Sequence, residues 1–215
     1  MKMVRLRILV KSMETKNSIR KHILALRNEM KIEECMKKSI CIRQNVLSIP
    51  AVRNANCVLC YANYKSDVMT EEIIDDLLQM GKQVYLPKVS GDDMDFYLIK
   101  DPAELSEGYK GILEPSRNHT DIFTKDMWIQ NMERTVMLMP GAAFSETGAR
   151  IGYGKGYYDR YLKRIPCAER IALCYEMQIV EDIPADDHDI PVSAIVTEEK
   201  IRHIIKAKMC RHYYI

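Results

Sequence analysis

The chain has 215 residues, 47% of them hydrophobic, and its 32 basic residues are nearly balanced by 30 acidic ones. A chain of this size and composition can bury one substantial core, so we expect a single domain. Because the charges nearly cancel, the chain lacks the strong positive field of an obligate nucleic-acid-binding protein, and we expect no nucleic-acid partner.

Residues 1–13 are basic and partly apolar. Their apolar run, residues 8–10, is far too short for the core of a signal peptide or for a membrane span. We therefore expect a cytoplasmic protein with no membrane partner. A second methionine, Met13, directly precedes the first well-patterned helix. This suggests that residues 1–13 are a disordered or non-native extension of a domain over residues 14–199.

Residues 15–30 are predicted to form an amphipathic helix that packs on the core. Its apolar face consists of Ile19, Ile23, Leu26 and Met30. At roughly 100° per residue, Lys16, Arg20 and Arg27 fall within about 40° of each other and form a basic stripe beside that face. Such a stripe can reach the edge of a pocket, and a solvated basic face explains it equally well. A second helix is predicted over residues 32–47.

A β-α-β unit is predicted to follow. Residues 57–62 read as a buried strand and residues 83–87 as the next strand. Between them, Thr70 is the predicted cap of a helix that ends at Gly81. Since parallel strands place functional loops at their carboxyl ends, residues 61–70 are a candidate functional loop.

The seven cysteines have no regular spacing, in a chain large enough to fold without disulfides, so we expect them to be reduced. Cys57 and Cys60 form a CxxC pair inside the buried strand. No second pair and no suitably spaced histidines accompany them. We expect both side chains to pack in the core rather than to bind zinc or to act in redox chemistry.

The second half of the chain completes the fold prediction. Residues 88–130 are less regular, with a short strand at 95–99 and a turn into an extended piece at 111–115. Three further short apolar runs are predicted strands, at residues 135–139, 170–174 and 192–196. We predict an α/β fold with a single-domain, open, mostly parallel sheet flanked by helices. The arrangement is Rossmann-like and three-layered, with an N-terminal helical segment. The tail, residues 200–215, is expected to form either a final strand or a final helix.

The most informative segment is residues 150–159, Arg-Ile-Gly-Tyr-Gly-Lys-Gly-Tyr-Tyr-Asp. An apolar strand runs into a glycine loop and then into a helix. Glycines let the backbone approach an anion closely, and a helix start offers unpaired N–H groups and the positive end of a dipole. Arg150 and Lys155 add positive charge suited to a nucleotide that undergoes phosphate transfer. The pattern predicts a phosphate-binding site.

Asp159 falls in the first turn of that helix, where the dipole alone would favour a carboxylate. Beside a phosphate loop it also suits Mg²⁺, which is held by one or two carboxylates and phosphate oxygens. A P-loop is excluded because Lys155 is followed by Gly156 rather than by Ser or Thr. A dinucleotide fold with Glu176 as its acidic residue stays an alternative, although the glycine spacing does not match.

Three segments together resemble the 5-formyltetrahydrofolate cyclo-ligase family, also called methenyltetrahydrofolate synthetase. They are Lys-Asn-Ser-Ile-Arg at 16–20, Pro-Gly-Ala-Ala-Phe at 140–144 and the glycine segment at 148–159. The resemblance runs from residue 16 to about residue 197. It implies conversion of a reduced folate, 5-formyltetrahydrofolate, to 5,10-methenyltetrahydrofolate, with ATP and Mg²⁺. The formyl oxygen would take the γ-phosphate, and N10 would then close the ring as phosphate leaves.

The resemblance also implies residue roles. Catalysis would fall to Arg150 and Lys155, and Mg²⁺ binding to Asp159 and Asp189, with His188 as a structural neighbour. The implied ATP contacts are Lys16, Arg20, Arg150, Ile151, Gly152, Tyr153, Gly154, Lys155, Gly156, Tyr157 and Tyr158. The implied folate contacts are Ala62, Asp67, Tyr153, Gly154, Lys155, Gly156 and Tyr157. Tyr161 is expected to anchor the helix in the core.

Three positions depart from the family pattern. Asp67 stands where a substrate-contacting glutamate is usual, and Ser145 and Ser193 stand where aspartate is common. Two other functions stay open: a nucleotide-binding module without turnover, and an enzyme similar to sugar-phosphate isomerases or CoA-transferases. A monomer or weak dimer is expected.

Overall fold

The computed structural model describes residues 15–116, 120–184, 186 and 189–204. Among these residues, the α-helices are α1 (Lys16–Asn28), α2 (Ile32–Ser48), α3 (Pro50–Asn54), α4 (Glu71–Gln79), α5 (Lys125–Gln130) and α6 (Tyr157–Arg164). The strands are β1 (Cys57–Leu59), β2 (Gln83–Ser90), β3 (Asp93–Ile99), β4 (Leu105–Glu107), β5 (Leu113–Pro115), β6 (Thr135–Met139), β7 (Ala143–Ser145), β8 (Arg150–Ile151), β9 (Glu169–Leu173), β10 (Ile179–Val180), β11 (Ala194–Val196) and β12 (Ile201–His203).

The central sheet has the strand order β12-β11-β9-β6-β1-β2-β3. Its inner strands pair in parallel, and the edge strands β3 and β12 run antiparallel to their neighbours. The register sets Val58 between Val84 and Val136. Because parallel neighbours share one direction, the carboxyl ends of β1, β6 and β9 open at the same edge. The predicted open, mostly parallel sheet is confirmed.

Helices cover both faces of this sheet and make three layers. Successive strand residues point to opposite faces, so Val58 packs with α2, α3 and α4 while Leu59 packs with α5 and α6. The same alternation separates the CxxC pair, since Cys57 packs on the face of Leu59 and Cys60 packs on the face of Val58. Burial raises the pKa of the Cys60 thiol to about 12. Two thiols on opposite faces cannot share a metal, and the prediction that they pack in the core is confirmed.

A second sheet, in the order β10-β7-β8, carries α1. Ile19 and Ile23 of α1 are buried against Ala143 and Ile151 of this sheet. The β7–β8 hairpin turns at Gly148, whose N–H donates to the carbonyl oxygen of residue 145 at 3.0 Å. The glycine loop therefore follows β8 rather than the strand at residues 135–139. Sequence periodicity missed this hairpin because its two strands are short.

Several other elements differ from their predicted form. Helices α3 and α5 and the β4–β5 hairpin lie in stretches without a clear apolar period. The predicted strand over residues 57–62 ends at Leu59. Thr70 does occupy the N-cap of α4, but its hydroxyl makes no cap; it donates to the carbonyl oxygen of Tyr61 at 2.6 Å. That bond holds the loop after β1 against the start of α4.

The beginning of the predicted tail is the edge strand β12, which pairs with β11. The expected extension at residues 1–13, the neighbour His188 and the rest of the tail from residue 205 lie outside the described residues. Within the described ranges, no helix combines the length and the hydropathy needed to cross a bilayer.

Candidate functional site

The predicted site residues meet where the carboxyl ends of β1 and β6 face α1 and the glycine loop, residues 152–156. Arg20 Nε donates to the carbonyl oxygen of Gly152 at 2.8 Å. Arg27 Nη1 donates to the carbonyl oxygen of Gly141, just beyond β6, at 3.2 Å. Lys16 reaches Asp189 with its ammonium group. The basic stripe of α1 therefore faces this edge of the sheet and is not a purely solvated surface.

Backbone geometry explains why the loop needs glycine. Gly154 and Gly156 have positive φ angles of 97° and 67°, which strain any residue with a Cβ. At Gly152 the constraint is space instead, since a Cβ there would lie 2.9 Å from Arg150 Nη1 and would displace that guanidinium. Arg150 and Arg20 thus flank the loop and limit its conformations.

The backbone N–H groups of the loop and of the first turn of α6 are available to a ligand. From Gly152 to Asp159, none of them donates to another atom in the described part of the chain. Gly156 is the N-cap of α6 and has no side chain with which to cap it. Unpaired N–H groups at a helix start, within the positive end of the dipole, form the arrangement that binds phosphate.

The two cationic side chains at the loop have different environments. Lys155 is exposed, and its ammonium has no partner among the described residues. Arg150 is buried, and its Nη2 donates to both carboxylate oxygens of Asp159 at 3.1 and 3.2 Å. Its guanidinium also lies 5.4 Å from the ring centroid of Tyr158. Lys155 can follow a moving phosphate, whereas Arg150 orients a carboxylate.

Asp159 and Asp189, the predicted Mg²⁺ ligands, are partly exposed, at 27% and 30% of their side-chain surface. Lys16 pairs with Asp189 and also with Asp186, at 2.6 Å. Burial alone would raise the pKa of Asp189, but Lys16, the backbone N–H of Asp186 and the charge of Arg150 hold it below its usual range. Its carboxylate is therefore ionised at neutral pH.

This donor set fits Mg²⁺, which prefers oxygen ligands and usually takes one or two carboxylates, with water and phosphate oxygens as the rest. The described residues contain no cluster of three or more metal-ligating side chains.

On the other side of the loop, Asp67 lies in the segment after β1 and is only 5% exposed. Its Oδ1 lies 2.8 Å from Arg27 Nη1 and also accepts the hydroxyl of Tyr153. Arg27 Nη2 donates to the same hydroxyl oxygen at 2.5 Å. Burial raises the pKa of Asp67, while the charge of Arg27 and the hydrogen bond from Tyr153 oppose that rise. We call these three residues the Arg27–Asp67–Tyr153 cluster.

The remaining predicted residues surround the loop. Ala62 lies half-buried in the segment after β1. The hydroxyl of Tyr157 donates to the carbonyl oxygen of Gly91 at 3.3 Å. Tyr158 is half-buried under Arg150, and burial raises its pKa. Tyr161 is fully buried with its ring centroid 4.8 Å from that of Phe96, so its predicted core role is confirmed.

Sequence reasoning did not assign two residues that help to build this edge. Arg27 was placed in the basic stripe but in no site, although its helical phase matches that of Lys16 and Arg20. Gln178 is buried and donates to the carbonyl oxygens of Gly141 and Ala142 at 2.8 and 3.0 Å, and no sequence pattern indicates this.

The dinucleotide alternative is not supported by the position of its acidic residue. Glu176 Oε2 accepts from Arg202 Nη1 at 2.9 Å and from the hydroxyl of Thr197 at 2.8 Å, and Glu176 Oε1 pairs with the same guanidinium. These partners occupy the carboxylate, so it is not free to bind a ribose.

Comparison with known proteins identifies the family. A model of the 5-formyltetrahydrofolate cyclo-ligase family matches residues 12–198. The 5-formyltetrahydrofolate cyclo-ligase of Saccharomyces cerevisiae is 30% identical over 217 residues, which cover 86% of this chain and 95% of that protein. The probable 5-formyltetrahydrofolate cyclo-ligase of Schizosaccharomyces pombe is 30% identical over 179 residues, with coverage of 76% and 85%. The solved structure of Aquifex aeolicus 5,10-methenyltetrahydrofolate synthetase is similar with a TM-score of 0.77 and 31% identity, and the match covers 93% of this chain and 97% of that one.

Proposed function

This chain belongs to the 5-formyltetrahydrofolate cyclo-ligase family, and from that premise we propose that it is an ATP-dependent ligase that converts 5-formyltetrahydrofolate to 5,10-methenyltetrahydrofolate. ADP and phosphate are the other products. The observation that supports the proposal beyond the family match is the run of N–H groups from Gly152 to Asp159, which, like the adjacent ammonium of Lys155, has no partner among the residues that the structure describes. An α/β fold alone would not support one function over another.

The chemistry explains why a phosphate site is needed. A formamide oxygen is a poor leaving group, so N10 cannot displace it directly. In the proposed reaction the formyl oxygen attacks the γ-phosphorus of ATP, a P–O bond forms and ADP leaves. N10 then adds to the formyl carbon and loses its proton, the C–O bond breaks, and phosphate carries the oxygen away. The product cation is shared between N5 and N10.

The protein's task in such a transfer is to position the reactants and to stabilise charge on the phosphoryl oxygens. The loop N–H groups and Lys155 supply donors where that charge develops, and the fixed geometry of the N–H groups avoids reorganisation. Lys16 and Arg20 extend the positive surface along α1 toward the nucleotide. No side-chain nucleophile is required.

Arg150 contributes indirectly in this proposal. Its guanidinium is committed to Asp159, so it fixes that carboxylate rather than a phosphate oxygen. Asp159 and Asp189 would hold Mg²⁺, which, when bound, neutralises phosphate charge. Lys16 would have to yield part of its pairing with Asp189 when the ion arrives, and the nucleotide phosphates offer it a replacement anion.

The folate is proposed to lie between the glycine loop and the segment after β1. Ala62, Tyr153 and Tyr157 are its proposed contacts, along with the backbone of residues 154–156. Tyr153 has 42% of its surface exposed, so its ring offers an apolar face to a flat ligand. Asp67 belongs to this side of the pocket.

The test is to mix the purified protein with 5-formyltetrahydrofolate and MgATP and to follow the near-ultraviolet absorbance of the methenyl product. A matched run omits the nucleotide. We expect a rise in absorbance only with ATP. Activity on other substrates without ATP would favour the isomerase or transferase alternative, and nucleotide binding without turnover would favour the binding module.

A further inference from the structure

The carboxylate of Asp67 has little capacity left for a substrate. Its Oδ1 accepts both Arg27 Nη1 and the hydroxyl of Tyr153, and its Oδ2 faces the backbone N–H of Tyr64 at 3.4 Å. The backbone of Asp67 is held as well, because its carbonyl oxygen accepts the hydroxyl of Tyr175 at 3.1 Å. A carboxylate that is 5% exposed, with one oxygen paired twice and the other facing a backbone N–H, is poorly accessible to a ligand.

Arg27 is equally committed to the protein. It is 2% exposed, so it is one of the most buried charged residues described. Its Nε donates to Ser66 Oγ at 3.0 Å, and its other nitrogens serve Gly141, Asp67 and Tyr153. A rigid, multiply bonded guanidinium serves to fix the groups around it rather than to meet a ligand.

The hydroxyl and the ring of Tyr153 lie in different environments. The hydroxyl donates to Asp67 and accepts from Arg27, whereas the residue as a whole is 42% exposed. The ring meets Tyr64 edge-on, with centroids 6.4 Å apart and planes at 80°. The Arg27 guanidinium also lies over the ring, with its Cζ 5.7 Å from the centroid. An aromatic ring that is fixed at its polar end and still partly exposed can serve as a preformed wall for a planar ligand.

We propose that Arg27 and Asp67 are positioning residues that act through Tyr153, and that the ring of Tyr153, not the Asp67 carboxylate, meets the substrate. The aspartate is one methylene shorter than the glutamate usual in the family, which keeps its carboxylate on Arg27 and away from the pocket. The pterin or aminobenzoyl ring of the folate is the planar group that the wall would take. This inference rests on the proposed function, because it assigns the folate side of the same pocket.

The experiment is a double-mutant cycle on the KM for 5-formyltetrahydrofolate with Asp67→Asn and Tyr153→Phe. If Asp67 acts through the hydroxyl, Asp67→Asn raises KM about fivefold in the wild type and less than about twofold in the Tyr153→Phe background, with kcat nearly constant in both. Multiplicative effects on KM would overturn the proposal, since they would mean that Asp67 contacts folate independently. Tyr97→Phe, which removes a hydroxyl on β3, is the control background, and there Asp67→Asn should keep its full effect.

Asp67→Glu tests the same idea in the opposite direction. A direct contact would gain reach, and KM would fall. In the proposed arrangement the added methylene has no room between Arg27 and Tyr153, so KM rises several-fold. A fall in KM would contradict the proposal.

Two readouts keep the outcome interpretable if a variant is unstable or if the wild type has no activity. Arg27→Lys retains the positive charge but loses the bond to the Tyr153 hydroxyl, and it should raise KM as Tyr153→Phe does. Without any turnover the proposed function fails, yet the cluster can still be tested from urea unfolding midpoints. Additive effects of Asp67→Asn and Tyr153→Phe on those midpoints would refute the cluster itself.

Discussion

Replacement of Lys155 by alanine separates catalysis from folding more cleanly than any other change at the glycine loop. Its side chain is exposed and its ammonium has no partner in the described residues, so the change in the free energy of unfolding should stay below about 0.5 kcal/mol. In the proposed reaction, the same ammonium faces the charge that develops on the transferred phosphoryl group. Loss of one donor of this kind costs about 100- to 1,000-fold in kcat, roughly 2.7–4 kcal/mol.

The assay is ATP-dependent formation of the methenyl product, with kcat and the KM for ATP measured separately. Because the interaction strengthens in the transition state, the loss should appear mainly in kcat. Lys163→Ala is the matched control, since it removes an exposed lysine from the last turn of the same helix, α6, and leaves the net charge equal. A kcat of Lys155→Ala within about threefold of the control would refute the assignment.

The other predictions concern the loop and a distant ion pair. Arg150→Ala should reduce turnover and also destabilise the fold by about 2 kcal/mol, because removal of the buried guanidinium leaves Asp159 without its partner. An unchanged thermal midpoint would contradict this. Gly154→Ala should cost about 1–2 kcal/mol in urea unfolding and lower activity, since its φ of 97° is strained for alanine; full activity would show that the loop tolerates another conformation. Burial would raise the pKa of Glu176, but Arg202 outweighs it and holds the pKa below its ordinary 4.5. The pair therefore stabilises the protein above that pH and less as pH falls through the lowered pKa. Glu176→Gln should be about 1 kcal/mol less stable at pH 7, and the difference should shrink as pH falls through the lowered pKa; a difference independent of pH would rule out the ion pair as its cause.

The fold class could be read from the sequence because the apolar period is local. The strand at residues 135–139 is buried on both faces and appears in the sequence as a continuous apolar run. The first helix is buried on one face and shows apolar residues at helical spacing. Short elements leave no such pattern. Helix α3 has five residues and strand β8 has two, so both were missed.

The glycine loop could also be read locally. Its need for glycine, its helix start and its charges all follow from residues adjacent in the chain, which is why Gly154, Lys155 and Asp159 stand out before any fold is known. Local sequence cannot show what a charge will pair with. Arg150 was predicted at the phosphate from its place in the loop, but nothing local indicates that its Nη2 pairs with Asp159.

The chain by itself determined the chemistry of the loop and the phase of the basic stripe on α1. Only the tertiary structure decided that Arg27 is buried and paired with Asp67, 40 positions along the chain, while Lys155 is exposed. The physical reason is that helical phase fixes the direction of a side chain, whereas burial and pairing depend on segments that folding brings against it from elsewhere in the sequence.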